Sequence, residues 1–190
     1  MKSFLFLSIL VFALFPGCDD SASTNNSNNT NNTNNINNVN NTQPPEFMDF
    51  PAKVVSVSDG DTVRVLYQEQ YIKIRLMGVD CPEIAHNGTS ADPYGVEAME
   101  FTENHMENGD WVGLEFDDDS CASENPPADC FDVYDRMLAY LRTDEDQDLG
   151  GQLLINGLAT VYTSATFNRK TLYLQYQQEA IDSNRGLWSE

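Results

Sequence analysis

The sequence predicts a mainly β domain with accessory helices: a five-stranded barrel of the OB type, three helices packed against its sides. Three observations carry this. Apolar and polar residues alternate in five short runs, turn residues separate those runs, and one helical stretch follows the third.

Ala52 to Val57 reads as the first strand, with Val55 and Val57 alternating. Asp59-Gly60-Asp61 turns the chain into the second, Thr62 to Tyr67, where Val63, Val65 and Tyr67 share a face. Gln68 to Gln70 turns it again into the third, Tyr71 to Val79, with Ile72, Ile74 and Leu76 inward. A helix follows from about Tyr94 to Asn108, with Tyr94, Ala98 and Phe101 on one face and Gly109 as its stop. Trp111 to Phe116 and Arg136 to Arg142 are the fourth and fifth strands. Gly150 to Asn156 is a short helix ended by Gly157, and Leu172 to Ser183 a last helix ended by Gly186.

The fold does not need the whole chain. Lys2 precedes an apolar run from Phe4 to Phe15 that is too short to span a bilayer comfortably, and a small residue follows, so residues 1–17 read as an export signal. Gly17-Cys18 resembles the lipobox of bacterial lipoproteins, in which the cysteine is acylated; that implies a membrane anchor on Cys18, with plain secretion as the alternative. Residues 18–45 are a spacer: six Asn-Asn-X triplets run from Asn25 to Thr42, with almost nothing to bury against the entropy of ordering. Residues 46–190 remain, an ordinary size for one domain, expected to be a monomer.

The chain carries 30 acidic residues against 10 Lys and Arg, a formal charge of −20. Such a surface keeps an exported protein soluble and repels polyanions at long range; taken alone it argues against a nucleic-acid partner. Cys121 and Cys130 bracket a Pro-Pro loop that a disulfide would clip, in keeping with an oxidising compartment. Cys81 is left over, read as a free buried thiol; a nucleophilic role would need a base, for which His86 is near only in sequence.

Against that charge stands one constellation. Asp61, Asp80 and Glu83 fall at the ends of adjacent strands, where three carboxylates would repel one another without a cation among them; hard oxygen ligands imply Ca2+ or Mg2+. Arg75 points away from the Ile72/Ile74/Leu76 face, and Arg136 opens the fifth strand with the same outward character. A guanidinium fork suits phosphate. A metal, two arginines and a spare carboxylate are the parts of a phosphodiester hydrolase: cations hold the phosphoryl oxygens, and the carboxylate deprotonates water.

"DGDTV" (59–63), "IRLMGVDCPE" (74–83), "YGVEAMEFT" (94–102), "YDRMLAYL" (134–141), "LLINGLATV" (153–161) and the closing "GLW" (186–188) resemble the staphylococcal-nuclease-like, or thermonuclease, domain. The resemblance covers roughly residues 50 to 189 in order. It implies an OB barrel with three helices and Ca2+-dependent cleavage of DNA and RNA. It further implies that Asp61 and Asp80 ligate Ca2+ by carboxylate and Cys81 by its backbone carbonyl. Glu83 would be the general base, Arg75 and Arg136 the phosphate-binding arginines, Tyr134 a nucleotide contact, and Asp59 a supporting acid or simply a turn residue.

The sequence departs from that family at three places. Asp135 stands where the family has glycine; Thr163 and Ala165 replace two pocket tyrosines, with Tyr162 and Phe167 nearby as substitutes; and an acidic insertion, "CASENPPADC", precedes Arg136. "DEDQDLG" (144–150) lacks an EF-hand's frame and reads as a solvated hairpin turn. A second reading is a non-catalytic OB-fold binding module on the cell surface.

Overall fold

A computed structural model describes residues 43–85 and 88–189. The export signal, Cys18, nearly all of the Asn-rich spacer, and His86 lie outside the described residues.

Strands β1 (Phe50–Asp59), β2 (Thr62–Tyr67) and β3 (Gln70–Leu76) form an antiparallel meander. A two-residue strand β4 (Val79–Asp80) follows, then helix α1 (Gly95–His105), β5 (Trp111–Glu115), β6 (Met137–Arg142), α2 (Leu149–Ile155), β7 (Thr160–Val161) and α3 (Lys170–Asp182). The barrel closes in the order β1-β2-β3-β6-β5, with β1 pairing both β2 and β5. One pair is parallel, β3 with β6, and it sets Ile74 against Met137 and Arg75 against Leu138. The five-stranded barrel and three helices agree with the fold expected from the sequence. The small β4–β7 ribbon was not expected; what reads as the tail of the third strand leaves the barrel at Met77 and pairs with Val161 and Thr160 instead.

The barrel core is built from inward residues of every strand: Val54, Val63, Val65, Ile74, Leu114 and Leu141 are all essentially inaccessible. One strand differs from the alternation read in its sequence. Ala52 and Val54 are the buried residues of β1, and Val55 is only half-buried. A register shift between Val54 and Ser56 is the cause, since an extra residue exchanges the faces of everything after it.

The helices attach through a polar seam. Asp148 caps α2 by accepting from Gly151 N (3.3 Å), and Tyr173 of α3, fully buried, donates its hydroxyl to the same carboxylate at 2.9 Å. Arg169 pairs with Asp148 at 3.0 Å and also with Glu115, which Arg142 holds at 2.7 Å. The segment 144–150 is therefore a turn at its tip, where Asp144 is exposed, but not solvated at Asp148. Burial pushes the Asp148 carboxyl above the ordinary carboxylate range, against the hydrogen bonds that favour its charged form.

The acidic insertion before β6 folds back on the barrel. Cys121 and Cys130 form a disulfide with their Cα atoms 5.6 Å apart, and Cys81 is a free buried thiol, as read from the sequence. Tyr67 Oη and Gln68 Nε2 donate to Ala122 O at 3.2 and 3.0 Å, fixing the loop to the end of β2. The loop leaves Cys130 straight into Phe131, which bridges to Met137.

Closing a loop of about ten residues stabilises by roughly 2–3 kcal/mol in the chain-entropy account. Urea unfolding of a Cys121→Ser/Cys130→Ser protein should show that loss relative to the parent, and reductant should add no further loss to the variant.

Candidate active site

The site is assembled around Asp61. The turn that delivers it is stabilised by Asp59, whose Oδ1 accepts from Asp61 N at 3.1 Å. This places Asp59 in the turn-forming role. Asp61 is 1% exposed, yet each carboxylate oxygen has partners. Thr62 Oγ1 donates to Oδ1 at 3.1 Å, Cys81 N donates to Oδ2 at 2.8 Å, and the Arg75 guanidinium pairs with Oδ1. Arg75 also reaches Asp80 Oδ1 at 2.6 Å, so one guanidinium joins the two carboxylates expected to work together.

A second arginine enters from β6. Arg136 NH1 donates to Thr62 Oγ1 at 3.1 Å, while its Nε and NH2 both lie 2.7 Å from Asp132 Oδ2. Asp132 Oδ1 accepts from Tyr134 N and Arg136 N, each at 2.9 Å. One carboxylate thus shapes the turn before β6 and aims the arginine that follows it. Burial alone would raise the Asp132 pKa; the backbone and guanidinium hydrogen bonds from Arg136, the Tyr134 amide and the Arg136 charge outweigh it and hold the carboxyl below its ordinary 3.8. The polar line runs unbroken: Asp80, Arg75, Asp61, Thr62, Arg136, Asp132.

Neither Asp132 nor Thr62 was anticipated from the sequence. The signal for Asp132 was present, because an aspartate two residues before a tyrosine amide and four before an arginine is a turn-capping spacing. Asp135, by contrast, has an exposed side chain and makes no contact with Arg136 among the described hydrogen bonds and ion pairs. It occupies the left-handed region (φ 60°), which favours glycine and in which aspartate is among the better-tolerated side chains.

Arg75, Asp80, Glu83, Tyr134, Arg136 and Tyr162 line one cavity of about 460 Å³. Glu83 is exposed. Its loop is positioned from behind: a Cβ on Gly95, the first residue of α1, would sit 2.4 Å from Glu83 O, so only glycine permits that approach. The Arg136 guanidinium lies 5.4 Å from the Tyr134 ring centre, and Tyr134 is 77% exposed. Of the two aromatic substitutes considered, Tyr162 reaches the cavity. Phe167 does not; it is buried over Gly78 and against Tyr173. The Cys81 thiol is buried close to Gly60, and desolvation pushes its pKa far up, which disfavours the thiolate.

Among the described residues, no three His, Cys, Asp or Glu side chains gather closely enough to hold a metal. Of the three acids, Asp61 and Asp80 are joined through Arg75, and Glu83 lines the same cavity as Asp80. The pair still fits a hard divalent cation. Two carboxylates converge on a single positive charge, now supplied by Arg75, and oxygen donors are what such ions require.

This geometry defines a class: a barrel with a cavity of about 460 Å³ at which two arginines meet carboxylates. Comparison with known proteins narrows it. The staphylococcal nuclease homologue family matches residues 73–190, and the chain belongs to that family. It is 32% identical to an uncharacterized protein of Methanocaldococcus jannaschii, covering 100% of this chain and 95% of that one. It is 31% identical to the thermonuclease of Staphylococcus hyicus (72% of this chain, 75% of the relative) and 30% identical to endonuclease YncB of Bacillus subtilis (70% and 58%).

Two stability measurements test this account. Asp61→Asn removes one charge from a buried pair and should lower the urea-derived stability by about 3 kcal/mol. Because Asp132 has a lowered folded pKa, its stabilisation is full above the unfolded value and is lost as pH falls through the folded one. The stability gap between the parent and Asp132→Asn should therefore be open at neutral pH and close only below about 3.8.

Proposed function

We propose that this chain is a Ca2+-dependent nuclease that hydrolyses phosphodiester bonds of DNA or RNA, exported and held at the cell envelope by a lipid on Cys18. The observation that carries the catalytic reading is the shared cavity: Arg75, Asp80, Arg136 and Glu83 line one volume, and Arg75 joins Asp80 to the buried carboxylate of Asp61. The names of the thermonuclease and endonuclease relatives support it.

Asp61 and Asp80, with the Cys81 backbone carbonyl, would hold the ion. An ion bound there would supply Lewis-acid charge for a phosphoryl oxygen. Arg75 and Arg136 grip the remaining phosphoryl oxygens, each through a planar fork, and are worth most where negative charge grows in the transition state. Glu83, whose carboxylate has no partner among the described side-chain hydrogen bonds and lines the cavity, accepts the proton of an attacking water. Tyr134 and Tyr162 offer ring faces to the base or sugar beside the scissile phosphate. Asp132 also lines the cavity, and its carboxylate holds Arg136 in place.

The binding-module reading draws on a separate fact, that both arginines are already neutralised by acids. A DNA zymogram with Ca2+ and with chelator separates the two: clearing that requires the ion is expected, and its absence at all ion concentrations favours the module.

Glu83→Gln should lower kcat by about 10²–10⁴-fold while leaving the thermal transition in place. Asp132→Ala should lower kcat/KM by about 10²-fold, since a loosened arginine loses its orientation, whereas Asp135→Gly removes an exposed charge, keeps the turn and should lower KM.

A further inference from the structure

The outward face of the β2–β3 hairpin carries a row of side chains that the catalytic reading does not use. Register sets Thr62 opposite Arg75, Arg64 opposite Lys73, and Leu66 opposite Tyr71. Arg75 is the phosphate-binding arginine at the cavity. Lys73 and Tyr71 precede it on the same strand at two-residue steps, so all three point outward, away from Ile72, Ile74 and Leu76. The row therefore begins in the active site and runs toward the hairpin tip. Arg64, Lys73 and Tyr71 are exposed, Tyr71 by 64%.

Two features mark this row as a binding surface rather than a solvated strand face. The first is cost. Arg64 and Lys73 are like charges directly opposite each other, an arrangement that destabilises a sheet. It occurs in a chain that has 10 cationic residues against 30 acids. The second is availability. Arg75, Arg136, Arg142, Arg169 and Arg185 are each paired with a carboxylate. Arg64 and Lys73 form no ion pair among the described residues; Arg64 instead lies 5.9 Å from the Tyr71 ring centre. In a protein that neutralises its arginines internally, two adjacent cations left open beside an exposed aromatic ring are complementary to an extended polyanion carrying flat bases.

We propose that the outer face of the β2–β3 hairpin is an extended subsite for single-stranded nucleic acid, in which Lys73 and Arg64 take phosphates flanking the scissile one and Tyr71 stacks a base. The spacing supports a single strand. Arg75 to Lys73 is about 7 Å along an extended chain and Arg75 to Tyr71 about 13 Å, so successive phosphates and a base of an uncoiled strand meet successive side chains. Duplex holds its bases inside and offers Tyr71 nothing to stack on. The proposal rests on the nuclease reading for the polarity of the row, since Arg75 is its origin.

The test is fluorescence anisotropy of a labelled single-stranded DNA octamer against Glu83→Gln protein, across a salt series. Three forms are compared: the row intact, Lys73→Gln/Arg64→Gln, and Tyr71→Leu. The molecule's −20 charge acts on every form, so differences between them isolate the row. Loss of two phosphate contacts should weaken binding and flatten the slope of log affinity against log salt by about 0.7 per cation removed. Tyr71→Leu should weaken octamer binding by about 5-fold or more while leaving that slope in place. In both variants the preference for the octamer over a trinucleotide should fall.

Equal affinities and slopes in all three forms overturn the proposal, as does an equal loss for octamer and trinucleotide, or an equal loss for duplex. All four substituted side chains are exposed, and an unchanged thermal transition confirms that the variants are folded. The two readings fail separately. If the unsubstituted protein cleaves the octamer but the row variants bind it normally, the subsite falls and the nuclease stands. If nothing is cleaved under any condition while the row variants lose binding, the nuclease falls and the binding face stands.

Discussion

The buried carboxylate of Asp61 is the constraint on which the rest of the site depends. A charge that is 1% exposed is tolerated only when fully partnered, and the partners it recruits come from three separate places. Asp59 shapes its turn, Thr62 follows it on β2, Arg75 crosses from β3, and the Cys81 amide arrives from the chain beyond β4. Each partner then does something further. Thr62 passes the contact on to Arg136, Arg75 passes it to Asp80, and the Cys81 bond fixes the stretch that ends in Glu83. Satisfying one buried acid therefore organises both arginines and the second carboxylate.

The same economy explains how a strongly acidic protein presents groups suited to phosphate. Five arginines are committed to carboxylates within the fold, which leaves the long-range field negative and confines attraction to short range. At contact distance, oriented guanidinium forks outweigh a diffuse field that salt screens within about 8 Å at physiological ionic strength. Net charge thus describes how the molecule behaves at a distance, not what its cavity accepts.

Much of this was legible in the sequence, and the exceptions have physical reasons. Alternation located β2 and β3 because both strands keep strict register, with Val63, Val65, Ile74 and Leu76 inside. It misassigned the inner face of β1 because the shift after Val54 leaves no mark in a run of valines. Asp61, Arg75, Asp80, Glu83 and Arg136 were each recognisable from local motifs, but the pairing among them was not. Nothing local says that Arg75 bridges Asp61 and Asp80, since that depends on where β3 exits the barrel. Asp132 went unnoticed because the disulfide loop hides it in an acidic stretch. Phe167 looked available for a ligand because burial by α3 is not written near it.

The single parallel pairing in the barrel, β3 against β6, has a kinetic consequence. Arg75 and Arg136 become neighbours only when two strands separated by α1, β5 and the disulfide loop come together. That closure must meet the entropy of a long intervening loop before any contact repays it, so it belongs among the slow, late events of folding. The meander of β1 to β3 can form from local contacts and would already present Asp61 with Arg75. A nascent or truncated chain ending before residue 136 would carry Arg75 with Asp61 but lack Arg136, so the cavity that both arginines line is complete only when the barrel closes.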